Sequence, residues 1–420
     1  MSNSFSKEER VAFEDILEGF QDQLVLSKNV STYNTDGTMM ARTGDVIWRP
    51  RPYILNSFDG QDQTTNFKTQ TQLSVPATIG HSKSVPWTMD AKELRDALQE
   101  KRLGDSAKLR LASDINRAIM DVASGQGTLV VKRTTAATGF DDVAQCEAIF
   151  NEQGIPMNDR CIALSTRDYN GMASNLAGRQ TLQGKPLTAY DRAYIGEVCS
   201  FDAFKLDYAN RITAAAATGI TIDTRTPAGN YYVPKATSIA PTGEQGNVDN
   251  RYQTVTLSAG TSIAVGDCFT VANCYAVHQI TKQNTGQLKT FRIMSISGAS
   301  AVISPPIISA QGGSTAELQY QNCVFTSTAS SAALVWLNTV AASINPFWQK
   351  DALEILPSRY AVPTDAGANV MRGTTDNGFE IVMQKFYDIN TMITKYRVDT
   401  LFGVVNKQPE MSGIMLFSQS

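Results

Sequence analysis

The chain has 420 residues, 42% of them hydrophobic and 18% charged, with a formal net charge of −3. That length exceeds the roughly 250–300 residues that one hydrophobic core serves, so two or more domains are expected, and the composition excludes a disordered or membrane-embedded chain. No run of Lys and Arg occurs, which removes electrostatic binding to nucleic acid phosphates as a driving force.

The opening stretch "MSNSFSKEERVAFEDILEGF" reads as one amphipathic helix. Ser6 and Glu9 have the spacing of a capping box, and Phe13, Ile16, Leu17, Phe20 and Leu24 recur with helical period. At about 100° per residue, Glu8, Asp15, Glu18 and Asp22 fall on the opposite side as an acidic stripe, either a solvated face or a docking surface for a basic partner. The stretch lacks the basic-then-apolar order of a signal peptide, and no apolar run approaches the roughly 20 residues of a membrane span. The chain is therefore expected to be made and used in a cytoplasm.

Residues 31–88 contain hardly any helical pattern. "GDVIWRPRPYIL" reads as a strand interrupted by Pro50 and Pro52, and the polar run after it is rich in Thr and Gln. A two-stranded excursion with so little apolar surface cannot bury itself, since an isolated hairpin is marginal in water. Its simplest support is a neighbouring subunit. Asp90 with Glu93 then makes a second cap signature, opening a helical region to about Ser124 with a break expected near Gly104. Leu111, Ile115, Ala118, Ile119 and Val122 share one face of it, and Gly125 or Gly127 can end it. From about Thr128 to Tyr208, strands ("TLVVK", "RCIALS") alternate with helices ("FDDVAQCEAIFNEQG", "RDYNGMASNLAG"), the pattern of an α+β or α/β domain.

Composition then shifts. Residues 211–330 hold 12 charged residues in 120 positions, against 65 in the other 300, and 28 Ser and Thr. The runs "YQTVTLSA", "DCFTVANCYAV", "FRIMSISG" and "SAVISPP" recur with turn residues between them, which reads as a small antiparallel barrel or sandwich inserted into a host domain. The host pattern resumes in "SAALVWLNTVAASI", helical in period, followed by the strand "DALEILPS" and three more strands in residues 378–418.

Chemistry is sparse. His81 and His278 are the two histidines, and no metalloprotease, nucleophile-elbow or triad pattern accompanies them. "GRQTLQGKP", from Gly178 to Pro186, has glycines one residue too far apart for a phosphate loop, and Asp141 and Asp142 sit at a helix start where they complement the dipole. Six cysteines without metal spacing read as reduced, small apolar residues. No catalytic, cofactor-binding or metal-ligating set is expected.

"NVDNRYQTVTLSA" followed by "VGD", together with "INPFWQKDALEI", resembles the major coat proteins of short-tailed phages of the Salmonella P-twenty-two type. "TGDVIWRP", "MDAKELRD" and "STRDYNGMASNLAGRQT" extend the resemblance in the right order over most of the chain. It implies an α+β tailed-phage capsid fold with an inserted antiparallel β-barrel domain. The implied parts are an N-arm (1–42), an extended loop (43–88), a peripheral domain with the spine helix (89–135), and the first part of an axial domain (136–211). The inserted barrel (212–331) and the axial return with peripheral strands (332–420) complete them. The function implied is a major capsid protein that assembles in the bacterial host cytoplasm, with scaffolding protein, into an icosahedral procapsid that matures around double-stranded DNA. An encapsulin-like shell, and a cytosolic enzyme with an accessory β module, are the alternatives.

The partners implied are other copies in hexamers and pentamers, the scaffold, a portal protein at one vertex, and packaged DNA bound without sequence specificity. In the family the N-arm faces the scaffold, so Glu8, Asp15, Glu18 and Asp22 become scaffold-contact candidates. About 40 residues precede the extended loop, too few for a fused scaffolding domain, so a separate scaffold is expected. The barrel is implied to help the monomer fold. The family's long loop before "NVDNR" is rich in Asp and Lys and reaches across two-fold axes. Here Glu244, Asp249 and Arg251 are its charges and the inter-capsomer candidates.

Overall fold

The computed structural model describes residues 9–420 except 12, 15–16, 18–19, 21–25, 34–45, 53, 56, 58, 65, 91–96, 179–195, 207–208, 224–230, 327–330, 362–368 and 376–377, with backbone alone for 97–101, 174–178, 223 and 369. The chain divides into two units. The first is Met1–Ile47, Pro76–Val122 and Leu353–Val405, and the second is Trp48–Val75, Ala123–Ala352 and Asn406–Ser420.

The first unit is built on a six-stranded sheet whose long strand is Ile393–Asn406. Thr394, Tyr396 and Val398 are buried while Lys395 and Arg397 are exposed, the period of two that a half-buried strand requires. Glu380–Asp388 pairs antiparallel with it, and so does His81–Asp90, in unbroken register from Asp90 opposite Ile393 to His81 opposite Phe402. Residues 81–90 are thus a strand of this sheet rather than part of the loop excursion, and Pro86 is tolerated because, among the described residues, its strand has one neighbour. Asp90 ends this strand, and the cap expected from Asp90 with Glu93 lies outside the described residues beyond Asp90.

The helix α1 spans Ala97–Gln126. It runs through Gly104 without the expected break: a helical Gly costs about 1 kcal/mol, less than the burial of Leu111, Ile115 and Ile119 on one face returns. Val46–Pro50 and Ser74–Thr78 pair as the two-stranded ribbon expected of the loop.

The second unit contains a mixed six-stranded sheet and a barrel. The sheet runs Leu129–Lys132, Ser412–Leu416, Asn345–Gln349, Arg160–Ser165, Phe201–Leu206, Glu197–Val198. Its core includes Phe150, Phe201 and Phe347, with α2 (Phe140–Glu152) and α3 (Thr166–Gly178) contributing Val143, Cys146, Tyr169 and Met172. Both helices and the strands at 129–132 and 160–165 follow the sequence expectation.

The barrel is a seven-stranded antiparallel sheet. Its path is Thr221–Asp223, Ser331–Trp336, Cys268–Val277, Asn284–Ser297, Ser300–Ser304, Gln253–Thr256, and Cys323–Phe325 also pairs with Cys268–Val277. A bridge between Ile222 and Leu257 joins the two ends, so the sheet is nearly closed around Phe269, Phe291, Ile293 and Ile303. The short helix α4 (Thr315–Tyr320) lies in the same module.

Ser331–Trp336 corrects the helical reading of "SAALVW". Ala332 and Leu334 point inward and Ser331, Ala333 and Val335 outward, a pattern compatible with either period, and ladder pairing on both sides selects the strand. The neck of the insertion is the pair Arg211–Ile212 and Ala342–Ser343.

Candidate functional site

Among the described residues three places carry chemistry, and each begins with a residue that its local sequence makes unusual. The first is the joint between barrel and host, inside the second unit. Arg292 and Lys289 lie in a strand of the charge-poor module, yet both are buried. Arg292 Nε donates to the Gly266 carbonyl at 3.2 Å, and its Nη1 donates to the carbonyls of Ser124 and Gly127, so a barrel guanidinium satisfies the end of α1 and places a cation at the helix's negative pole. Asn338, fully buried, donates to Asp267 Oδ1 at 2.8 Å and to the Thr213 carbonyl at 2.9 Å while its own oxygen accepts from Cys268 N. His278 Nδ1 accepts from the backbone of Ile280 and Thr281, and its ring covers Gly154. Gly154 has φ +75 and a Cβ there would lie 2.5 Å from the ring, so only glycine fits.

A carboxylate ties three further segments to this joint. Glu410, on the turn Pro409–Met411, accepts from Lys289 Nζ at 2.7 Å and from Asn322 Nδ2 at 2.9 Å, with Arg51 Nη2 at 3.8 Å. Burial pushes its pKa up, but the charges of Lys289 and Arg51 and these hydrogen bonds outweigh that and hold it below the usual value.

The second place is the seat of the N-terminal helix, inside the first unit. Phe13 and Phe20 are buried, and Glu9, buried as well, pairs with Lys385 and accepts from Tyr396 Oη at 3.1 Å. Gly373 leaves the room for this helix: a Cβ would come within 2.9 Å of Leu17 and 3.1 Å of Phe13. Arg10, Val11 and Glu14 are exposed. Glu8, Asp15, Glu18 and Asp22, the scaffold-contact candidates, lie outside the described residues.

The third place is the outer surface of the second unit. Thr237–Ile239 and Gln245–Asn247 form a hairpin whose every residue is exposed, closed by Ala240 N donating to the Glu244 carbonyl at 2.8 Å. Glu244 stands on its turn. Asp249 and Arg251 are instead brought together, Arg251 Nε and Nη2 forking onto Asp249 at 3.0 and 2.7 Å while Nη1 donates to the Asn406 carbonyl at 2.9 Å. The root of the extended loop rests on its own chain, with Tyr320 Oη donating to the Thr71 carbonyl at 2.8 Å and Leu73 buried beside Ile308 and Tyr320. Phe67, farther out, is 86% exposed.

Arg133 pairs with Asp142 at 2.6 Å, and Asp142 also accepts from the amides of Thr138 and Gly139 at the start of α2, so this carboxylate caps a helix as its position implied. Gly178–Pro186 falls outside the described residues beyond Gly178. Sequence reasoning missed Arg292, Lys289, Asn338 and Glu410. The usable signal was a cation embedded in an apolar strand run, "LKTFRIM", which a fold tolerates only where partners wait.

A family model described as "P22 coat protein - gene protein 5" matches residues 1–418. The chain belongs to the P22 coat protein family. It is a major capsid protein of a tailed phage, a structural component of the virion whose copies form an icosahedral shell, and not an enzyme. The coat protein has the tailed-phage capsid fold with an inserted domain, and membership removes both the enzyme and the compartment alternatives. Similar solved structures include Mycobacterium phage Che8, 9% identical with a TM-score of 0.44 over 94% of this chain and 92% of that one. The capsid of cyanophage P-SCSP1u is 10% identical with a TM-score of 0.42, covering 93% of this chain and 86% of that chain. The CUS-3 coat protein I-domain is 34% identical, with a TM-score of 0.22, over 29% of the coat protein and 99% of the domain.

Proposed function

We propose that the coat protein assembles with a separate scaffolding protein into a procapsid, that a portal protein takes one vertex, and that the shell then matures around double-stranded DNA held without sequence-specific contacts. The observation that carries the scaffolding contact is the seat of the N-terminal helix. One face is used by Glu9, Phe13 and Phe20, and the sequence period that pairs Phe13 with Phe20 assigns Glu8, Asp15, Glu18 and Asp22 to the opposite stripe. That stripe offers a basic partner four carboxylates at low salt.

Reversing Asp15 and Asp22 to Lys tests it. Incorporation of scaffold into shells, followed by sedimentation and negative-stain microscopy, should fall at low salt, and equal incorporation would refute the charge argument. Unmodified protein should give uniform closed shells with scaffold and irregular shells or monomers without it.

The exposed hairpin around Glu244 is our candidate for contact between capsomers. Eleven exposed residues, 237–247, are left unburied by the described residues of their own chain, and a two-stranded ribbon alone is marginal in water. Asp249 and Arg251 support this contact from within, by fixing the base of the hairpin through their fork.

A further inference from the structure

Several buried charges in the second unit have an opposite charge as partner: Asp142 has Arg133, Arg251 has Asp249, and Lys289 has Glu410. In a cavity of about 320 Å³, bounded by the loop root, the barrel and the C-terminal turn, cations outnumber their counter-charge. Arg51, Lys282 and Glu410 line it, with Asp351 and Tyr320.

Glu410 Oε1 is occupied by Lys289 and Asn322, and Arg51 at 3.8 Å is beyond hydrogen-bond range of Oε2. Lys282 Nζ donates to the Gln321 carbonyl at 3.1 Å, and among the described residues it has no ion-pair partner. Asp351 is exposed and held by Gln349, and the Tyr320 hydroxyl is spent on Thr71. Three cations, Arg51, Lys282 and Lys289, therefore surround one half-buried carboxylate. Burial holds the Lys282 pKa down to about 8, Glu410 opposing the fall and Lys289 adding to it.

Half-buried cations with unused N–H donors that outnumber their counter-charge are costly, and a bound anion lowers the cost. The guanidinium fork of Arg51 fits a tetrahedral oxyanion, the ammonium of Lys282 supplies a point charge, and the cavity is at the small end of ligand pockets, which start at about 300 Å³. We propose that this cavity binds a small inorganic oxyanion, phosphate or sulfate, between Arg51 and Lys282, and that the bound ion fastens the root of the extended loop to the barrel. This site is independent of the scaffold contact proposed above.

The purified, unassembled full-length chain is titrated calorimetrically with sodium sulfate, whose charge is constant over the range used, at fixed ionic strength. Saturable binding is expected, at least about tenfold weaker in Lys282→Met and in Arg51→Gln, and unchanged in Lys68→Gln, an exposed cation outside the cavity. If a cavity variant does not fold, the wild-type protein still decides: its affinity should fall as pH rises from about 7 to about 9, because the empty site loses the Lys282 proton before the filled one does. No saturable heat, equal affinity in the folded variants, or affinity independent of pH overturns the proposal.

Discussion

Arg292 joins two parts of the chain by three hydrogen bonds from one guanidinium, and its worth lies in what its removal leaves behind. Arg292→Met would keep most of the apolar stem and strip partners from the carbonyls of Ser124, Gly127 and Gly266. Stranded buried acceptors cost about 1–3 kcal/mol each at most, partly relieved by relaxation, so a loss of roughly 2–4 kcal/mol is expected in urea unfolding of the monomer. Glu410 gives a pH signature. Its folded pKa lies below the ordinary 4.5, so its ionised form contributes stability that is fully present above that value and is lost as pH falls through the folded one. The stability gap between wild type and Glu410→Gln should be constant at neutral pH and close on acidification below about 4.5; a gap that ignores pH would assign the contact no electrostatic role. Arg251 was legible as a charge near the insertion's start, but its fork onto Asp249 and its bond to Asn406 make it an internal brace. Arg251→Ala should therefore destabilise the monomer by about 2 kcal/mol before it affects any shell.

At the scale of elements, the N-terminal helix and the hairpin at 237–247 make opposite expectations. The helix is held by buried Phe13 and Phe20 and by Glu9 on Lys385, so Lys385→Met leaves a carboxylate buried without its cation. Hydrogen exchange over residues 9–20 should quicken in that variant, by about tenfold or more, while the strands at 380–388 and 393–406 keep their protection. Every residue of the hairpin is exposed. Replacing residues 237–247 by a tight turn should shift monomer stability by no more than about 0.5 kcal/mol and lower the yield of closed shells, measured by sedimentation. Element type was read correctly wherever one period dominated, as in α2, α3 and the strands of the barrel. It was misread in "SAALVW", where two periods coexist in six residues, and near Gly104, where a local penalty was set against tertiary burial that the local sequence does not display.

At the scale of the molecule, the coat protein combines a host whose loop and hairpin expose surface with a nearly closed barrel. Successive barrel strands from 268–277 through 284–297 to 300–304 are sequence neighbours, so their loop-closure cost is small. Pulse-labelled amides of these strands should be protected before those of the six-stranded sheet that unites residues 129–132 with 412–416; simultaneous protection would remove the barrel's role as an early-folding support.

Periodicity and composition by themselves determined the order of the parts: a terminal amphipathic helix, an extended excursion, a long helix, a mixed α and β host, and a charge-poor β module set into it. These follow from short-range physics, since side-chain spacing and charge density are local quantities. Only the tertiary structure decided that residues 81–90 belong to a sheet, that the neck is the pair 211–212 and 342–343, and that Arg292, Asn338 and Glu410 lock the module to its host. Each of these depends on partners roughly 70 to 320 positions away in sequence, and a buried polar group carries no local mark of which distant group will satisfy it.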